Sequence, residues 1–95
     1  MSTSTEARNM VRIFKTLGNM KRVDILMLLA KGEAMSVSEM AEKIHLSVKS
    51  TSKHIAMLDR EGFLEKERSE SLMIVSLRRD LESAQHQCVN LLKKK

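Results

Sequence analysis

Residues 36–62, SVSEMAEKIHLSVKSTSKHIAMLDREG, read as two short amphipathic helices joined by a tight turn. In the first, Val37, Met40, Ala41 and Ile44 recur at i, i+3, i+4 and i+7, the spacing of one buried helical stripe. Ser36 with Glu39 three residues on suits a capping box, in which a hydroxyl and a carboxylate each satisfy an orphan backbone donor. The helix stops near His45, because Leu46 and Ser47 break its polar rhythm and Ser47 can cap a new helix. The turn is therefore about three residues long, as in a helix-turn-helix.

In the second helix, at about 100° per residue, Val48, Thr51, Ile55 and Leu58 fall on one side and Lys49, Lys53 and Arg60 on the opposite side. Gly62 ends it. Such a helix can bury one face on its own domain and offer the other to a DNA major groove, its first turns reaching base edges. A solvated charged face would carry the same cations, so the weight rests on the neighbouring elements. The next element is a hairpin: residues 64–68 and 72–77 are short runs with branched side chains, separated by Ser69, Glu70 and Ser71, which have turn chemistry. A helix-turn-helix with a two-stranded ribbon after it is the winged-helix arrangement, mainly α with a small β-hairpin.

Composition narrows the partner. A chain of 95 residues has room for one domain with a modest core, so a partner subunit would help to bury its apolar helices. A net charge of +5 and a pI near 9.7 favour a polyanion, although Lys93, Lys94 and Lys95 supply part of the excess. Only 2% of residues are aromatic, too few stacking platforms for a single-strand binder, so duplex DNA fits better. The sequence opens with no signal peptide and has no apolar run of about 18 residues, so neither export nor a membrane span is expected. A single cysteine cannot form an internal disulfide, which suits a reducing cytoplasm.

Outside the central stretch, residues 1–5 are small and polar and are expected to fray. From Ala7 onward Met10, Val11, Phe14 and Leu17 trace a helical stripe, ended by Gly18, with Asn19 as the next cap. A helix over residues 20–31 holds six consecutive apolar residues, 25–30, and is expected to be surrounded by protein on several sides, with Gly32 after it. After the wing, Leu81, Ala84, Cys88 and Leu91, with Val89 and Leu92 beside them, make a last amphipathic helix. The first and last helices are candidates for a two-fold dimer interface through Met10, Phe14, Leu81, Ala84, Cys88 and Leu91; the alternative is that both only close the monomer core. Residues 6–92 thus form one DNA-binding and dimerisation domain, and residues 93–95 a basic tail.

The segments Leu17-Gly18-Asn19-Met20-Lys21-Arg22-Val23-Asp24-Ile25-Leu26, Ser36-Val37-Ser38-Glu39-Met40-Ala41, residues 46–58 and Glu61-Gly62-Phe63-Leu64 together resemble the ArsR/SmtB family of prokaryotic winged-helix regulators. Ser50-Thr51-Ser52-Lys53-His54-Ile55 is the nearest part, where the family often has a Ser or Thr, a β-branched residue, Ser, Arg, His and Leu. The resemblance implies a homodimeric repressor that binds an operator through the second motif helix and the wing, with the terminal helices forming the dimer.

The departures from the family pattern concern sensing and the wing. Many sensing members carry Cys-Val-Cys-Asp-Leu where this chain has Ser36-Val37-Ser38-Glu39-Met40, and serine hydroxyls are hard, un-ionised and weak ligands for soft metals. Glu82 and His86 lie four apart but lack the Asp-x-His of the family's zinc site, so a surface ion pair is expected and no metal. Cys88 falls on an apolar stripe, where a free cysteine behaves as a small hydrophobe; a sensing thiol is the alternative. His54 is expected as a packed or backbone-bonded ring; direct DNA contact is the alternative. His45 stands where the family commonly places Gly, so the turn carries some strain. Glu65, Lys66, Glu67, Arg68 and Glu70 alternate in sign, and an acidic wing tip would be repelled by phosphate, leaving Arg68 to reach the backbone. Val48 replaces a frequent polar residue at the start of the second motif helix, where it can meet a thymine methyl or merely pack.

The expectation is a cytoplasmic, homodimeric transcriptional regulator, a repressor, that reads double-stranded DNA. Lys49 and Lys53 approach bases or phosphates, Ser47, Ser50 and Ser52 supply hydroxyls, and Arg60 and Arg68 touch phosphate. No cofactor is expected, and no Ser-His-Asp, Cys-His or paired-carboxylate set suggests an enzyme. The alternative is a winged-helix protein-interaction module without sequence-specific DNA binding.

Overall fold

The computed structural model describes residues 4–94. The expected fraying of residues 1–3 and the last lysine of the basic tail lie outside the described residues. Five helices and three strands run in the order α1 (Thr5–Leu17), α2 (Met20–Ala30), β1 (Met35–Ser36), α3 (Val37–Ile44), α4 (Val48–Arg60), β2 (Leu64–Ser69), β3 (Leu72–Leu77) and α5 (Ser83–Lys93). Helix starts are set by local chemistry. Ser4, Asn19, Ser36 and Ser47 each stand at an N-cap and accept backbone N–H bonds from the first turn of their helix.

The first helix begins at Thr5 on the Ser4 cap, two residues earlier than the expected start at Ala7, so Ser4 and Thr5 are not frayed. α2 is the central helix expected from its apolar run: Ile25, Leu26 and Leu29 are fully buried, and the helix packs against α1, α3, α4, α5 and β3. The core is completed by Met40 and Ile44 from α3, Ile55 and Leu58 from α4, Phe63, Leu64 and Val75 around the wing base, and Val89 from α5.

The hairpin pairs Leu64 with Leu77 through to Ser69 with Leu72, leaving Glu70 and Ser71 as a two-residue loop. The sheet nevertheless has three strands in the order β1-β3-β2, because Met35 and Ser36 pair with Val75 and Ile74. Two residues are too few to show a period-2 pattern, which is why the third strand is invisible in the sequence.

The stripes on the terminal helices are turned differently from the expectation. Along α1 the inward residues are Ile13 and Thr16, with Met10 and Leu17 packed against the core, whereas Val11 and Phe14 are exposed. On α5 Val89 is the buried anchor and Leu91 is exposed. Val48 also departs from its assigned side, being half exposed at the first residue of α4 while Thr51, Ile55 and Leu58 are buried. A residue in the first helical turn projects beyond the elements that the rest of its stripe packs against.

Candidate DNA interface

The turn that aims α4 is built from backbone hydrogen bonds. His45 adopts the left-handed conformation, φ 60° and ψ 48°, and the Leu46 N–H reaches back to the Ala41 carbonyl, the six-to-one bond of a Schellman ending. Leu46 packs against the core behind it. Half of the expected capping box forms at the other end of α3, where the Ser36 hydroxyl accepts from the Glu39 N–H at 3.1 Å. Lys21 of α2 donates its ammonium to the Ile44 carbonyl at 2.6 Å, placing a cation at the negative end of α3. Gly62, at φ +83°, turns the chain out of α4, and the Phe63 N–H closes onto the Leu58 carbonyl.

With Thr51, Ile55 and Leu58 held inside, the opposite face of α4 carries Lys49, Lys53 and Arg60, all exposed. Among the described residues none of the three has a carboxylate partner within ion-pair distance. Ser50 and Ser52 are exposed beside them. The Ser47 hydroxyl accepts from the Ser50 N–H at 3.0 Å, so its helix-capping role leaves only the hydroxyl proton to offer outward. At about 1.5 Å rise per residue Arg60 stands roughly 16 Å along the axis from Lys49, beyond the first turns.

The wing's alternating charges are sorted by the strand. Successive side chains in β2 point to opposite faces. Lys66 and Arg68 therefore share one face, and they line a groove against Val48, Ser52 and Ile55 of α4. The Lys66 ammonium lies 3.5 Å from the Asp59 carboxylate on the same helix. Glu65 and Glu67 occupy the other face, where Glu65 accepts the Arg79 N–H at 3.1 Å. Lys66 is a candidate contact that the linear charge pattern hid, and its matching parity with Arg68 is the signal that marks it. Glu70 sits at the exposed tip with φ 55°.

His54 is half-buried, and its ring is bonded to a side chain instead of the backbone: Nδ1 accepts from Arg22 Nε at 3.2 Å. The same guanidinium donates to the Thr16 carbonyl at 3.0 Å, so Arg22 ties the end of α1 to α4. Burial first, and then the Arg22 charge, lower the His54 pKa below the usual histidine value.

Behind this face, Met10, Phe14, Ala84, Cys88 and Leu91 line one open groove of about 990 Å³ between α1 and α5. Leu81, the sixth residue assigned to a dimer interface, packs against the core instead of lining this groove. Gln85 donates to the Glu61 carbonyl at 2.7 Å and joins α5 to the end of α4. Arg78 also lines the groove, and its Nε is buried without an acceptor among the described residues. Cys88 is a free, partly buried thiol whose pKa is raised by burial, the opposite of what a reactive thiolate needs. Glu82 and His86 do not form the expected ion pair; the His86 ring lies 3.5 Å from the Asn90 amide. No cluster of His, Cys, Asp and Glu suited to a metal occurs among the described residues. No described helix is long and apolar enough to cross a membrane.

A helix-turn-helix seated on a central helix, with a paired wing after it, defines a winged helix-turn-helix protein of the DNA-binding regulator class. The family model for bacterial regulatory proteins of the arsR family matches residues 19–66, and the chain belongs to that family, whose members are transcriptional regulators and not enzymes. No curated protein matches the chain. Among solved structures it resembles HlyU from Vibrio cholerae with a TM-score of 0.81 at 23% identity, over 97% of this chain and 96% of that one. NolR from Sinorhizobium fredii gives a TM-score of 0.80 at 23% identity, over 99% and 94%. Mb0332 from Mycobacterium bovis, described as a homodimeric winged helix-turn-helix DNA-binding domain, gives 0.76 at 20% identity, over 99% and 88%. At these identities the likeness is one of fold.

Proposed function

We propose that the protein is a homodimeric, sequence-specific reader of duplex DNA in the cytoplasm, acting as a repressor. The carrying observation is the unpaired cationic stripe on the exposed face of α4, Lys49, Lys53 and Arg60, with Lys66 and Arg68 of the wing across an adjoining groove. Lys49 and Lys53, near the start of the helix, approach base edges or the nearest phosphates, with Ser50, Ser52 and the free proton of Ser47 as hydroxyl partners. Arg60 lies too far along for bases and contacts phosphate, as does Arg68. A dimer that occupies promoter DNA obstructs transcription by occupancy alone, which makes repression the expected direction.

The dimer is supported by the α1–α5 groove. Phe14 and Leu91 are 61% and 64% exposed there, and the buried Arg78 Nε needs an acceptor that a second copy can supply. Two-fold symmetry then places two α4 helices on half-sites about one helical turn apart, roughly 34 Å, on a pseudo-palindromic operator.

The test is selection from a random duplex pool with the wild type and with Lys49→Ala/Lys53→Ala, at low and near-physiological salt. A two-fold symmetric site is expected for the wild type. Each lysine that reads a base is worth about 1–3 kcal/mol on that site, and each that meets only phosphate flattens the salt dependence equally on every sequence. Absence of any enriched site, or weak binding that the substitutions leave unchanged, would move the function to a protein-interaction module.

A further inference from the structure

We propose that Val48 is a specificity-determining residue that reads the C5-methyl group of a thymine in each half-site, an inference that rests on the DNA-reading function above. Val48 is the first residue of α4 and is 50% exposed. The core does not need it: Thr51 and Ile55 fill the inward face of the same helix at 0% and 1% exposure. Nor does helix formation require it, because a β-branched residue is among the weaker helix formers. Its exposure leaves an apolar, rotationally stiff group at the end of the helix that enters the groove first.

The surroundings decide what that group meets. Lys49 and Lys53 lie about 120° round the α4 axis from Val48 and outside its groove, while Lys66 and Arg68 stand across the groove that Val48 lines with Val37, Ser52 and Met73. Cations flank the site on two sides, so a nucleic acid brought there presents phosphates at the flanks and base edges between them. On the major-groove edges of the four bases the thymine methyl is the apolar group, and an aliphatic side chain recognises it by contact and exclusion of water. Cytosine offers an amino group at the corresponding edge, which Val48 would desolvate without a hydrogen bond.

The experiment uses the full chain and the duplex enriched by selection. At each thymine position, deoxyuridine is substituted, which removes the methyl group and leaves every hydrogen-bonding atom in place. One position per half-site is expected to lose affinity about fourfold, the effect of roughly one buried methyl. Val48→Ser is expected to melt like the wild type, to keep the salt dependence set by the lysines, and to bind the thymine and deoxyuridine duplexes equally. Indifference of the wild type to deoxyuridine at every position overturns the inference, and so does discrimination that survives in Val48→Ser; in both cases a selected operator leaves the DNA-reading function standing. A pool in which nothing is enriched overturns that function and this inference together.

Discussion

The two motif helices and the two terminal helices are all amphipathic, yet their apolar faces are satisfied to different degrees. In α3 and α4, Met40, Ala41, Ile44, Ile55 and Leu58 are all buried within one chain. In α1 and α5 only Ile13, Thr16 and Val89 are buried, while Val11, Phe14 and Leu91 remain exposed. The motif helices therefore hold their position independently of any partner. The terminal helices keep three large apolar side chains outside, and their full stabilisation depends on what covers them.

This contrast is open to direct test. The largest effect is expected in the saturated region: Leu58→Ala removes a fully buried side chain and should cost about 2–5 kcal/mol in urea denaturation, at any protein concentration. Replacing Phe14 and Leu91 together by serine should leave the monomer's stability nearly unchanged. It should weaken self-association by about 1.5–3 kcal/mol for each side chain buried between copies, read by sedimentation equilibrium. If that double variant unfolds as readily as Leu58→Ala while remaining monomeric, the distinction between the two regions fails.

A smaller change sharpens the comparison from the motif side. His45 holds a left-handed conformation that costs an L-residue about 1–2 kcal/mol, offset in part by the entropy a glycine loses on folding. His45→Gly is therefore expected to raise the denaturation free energy by up to about 1 kcal/mol without altering DNA selectivity. A loss of stability would mean that the imidazole makes a compensating contact.

The smallest effect concerns the link between the regions, the Arg22 bridge from the end of α1 to His54 on α4. Burial and the adjacent guanidinium lower the His54 pKa from its usual 6.5, so the folded protein resists a proton that the unfolded chain accepts. Stability is thus fully present above pH 6.5 and declines as the pH falls through the window down to the lowered pKa. Denaturation curves for wild type and His54→Gln at pH 7.5 and 5.5 should show a shallower decline in the variant. Parallel declines would assign the pH dependence to other groups.

Much of the architecture is legible in the sequence because it is set by local chemistry. The Asn19, Ser36 and Ser47 caps, the stop at His45 and the Gly62 exit each depend on one or two residues and the backbone groups beside them. The cations of α4 are legible for the same reason, since a buried Thr51-Ile55-Leu58 stripe leaves Lys49 and Lys53 facing out. Lys66 is less legible. Its role depends on hairpin register and on Asp59 seven residues earlier, so a linear run of alternating charges reads as a poor phosphate binder although its two faces differ in sign.

Sequence alone determined the helix-turn-helix, the hairpin, the single central apolar helix and the family, because periodicity, caps and turn residues act over a few positions. Tertiary structure alone decided which way each stripe turned. A helix with apolar residues on more than one side can dock by either, and only packing chose Ile13 over Phe14 and Val89 over Leu91. It also decided the β1–β3 pairing, the Arg22–His54 bond across 32 positions and the Gln85–Glu61 bond across 24. Those contacts join residues distant in the chain, and their energy exists only once the fold has brought the partners together.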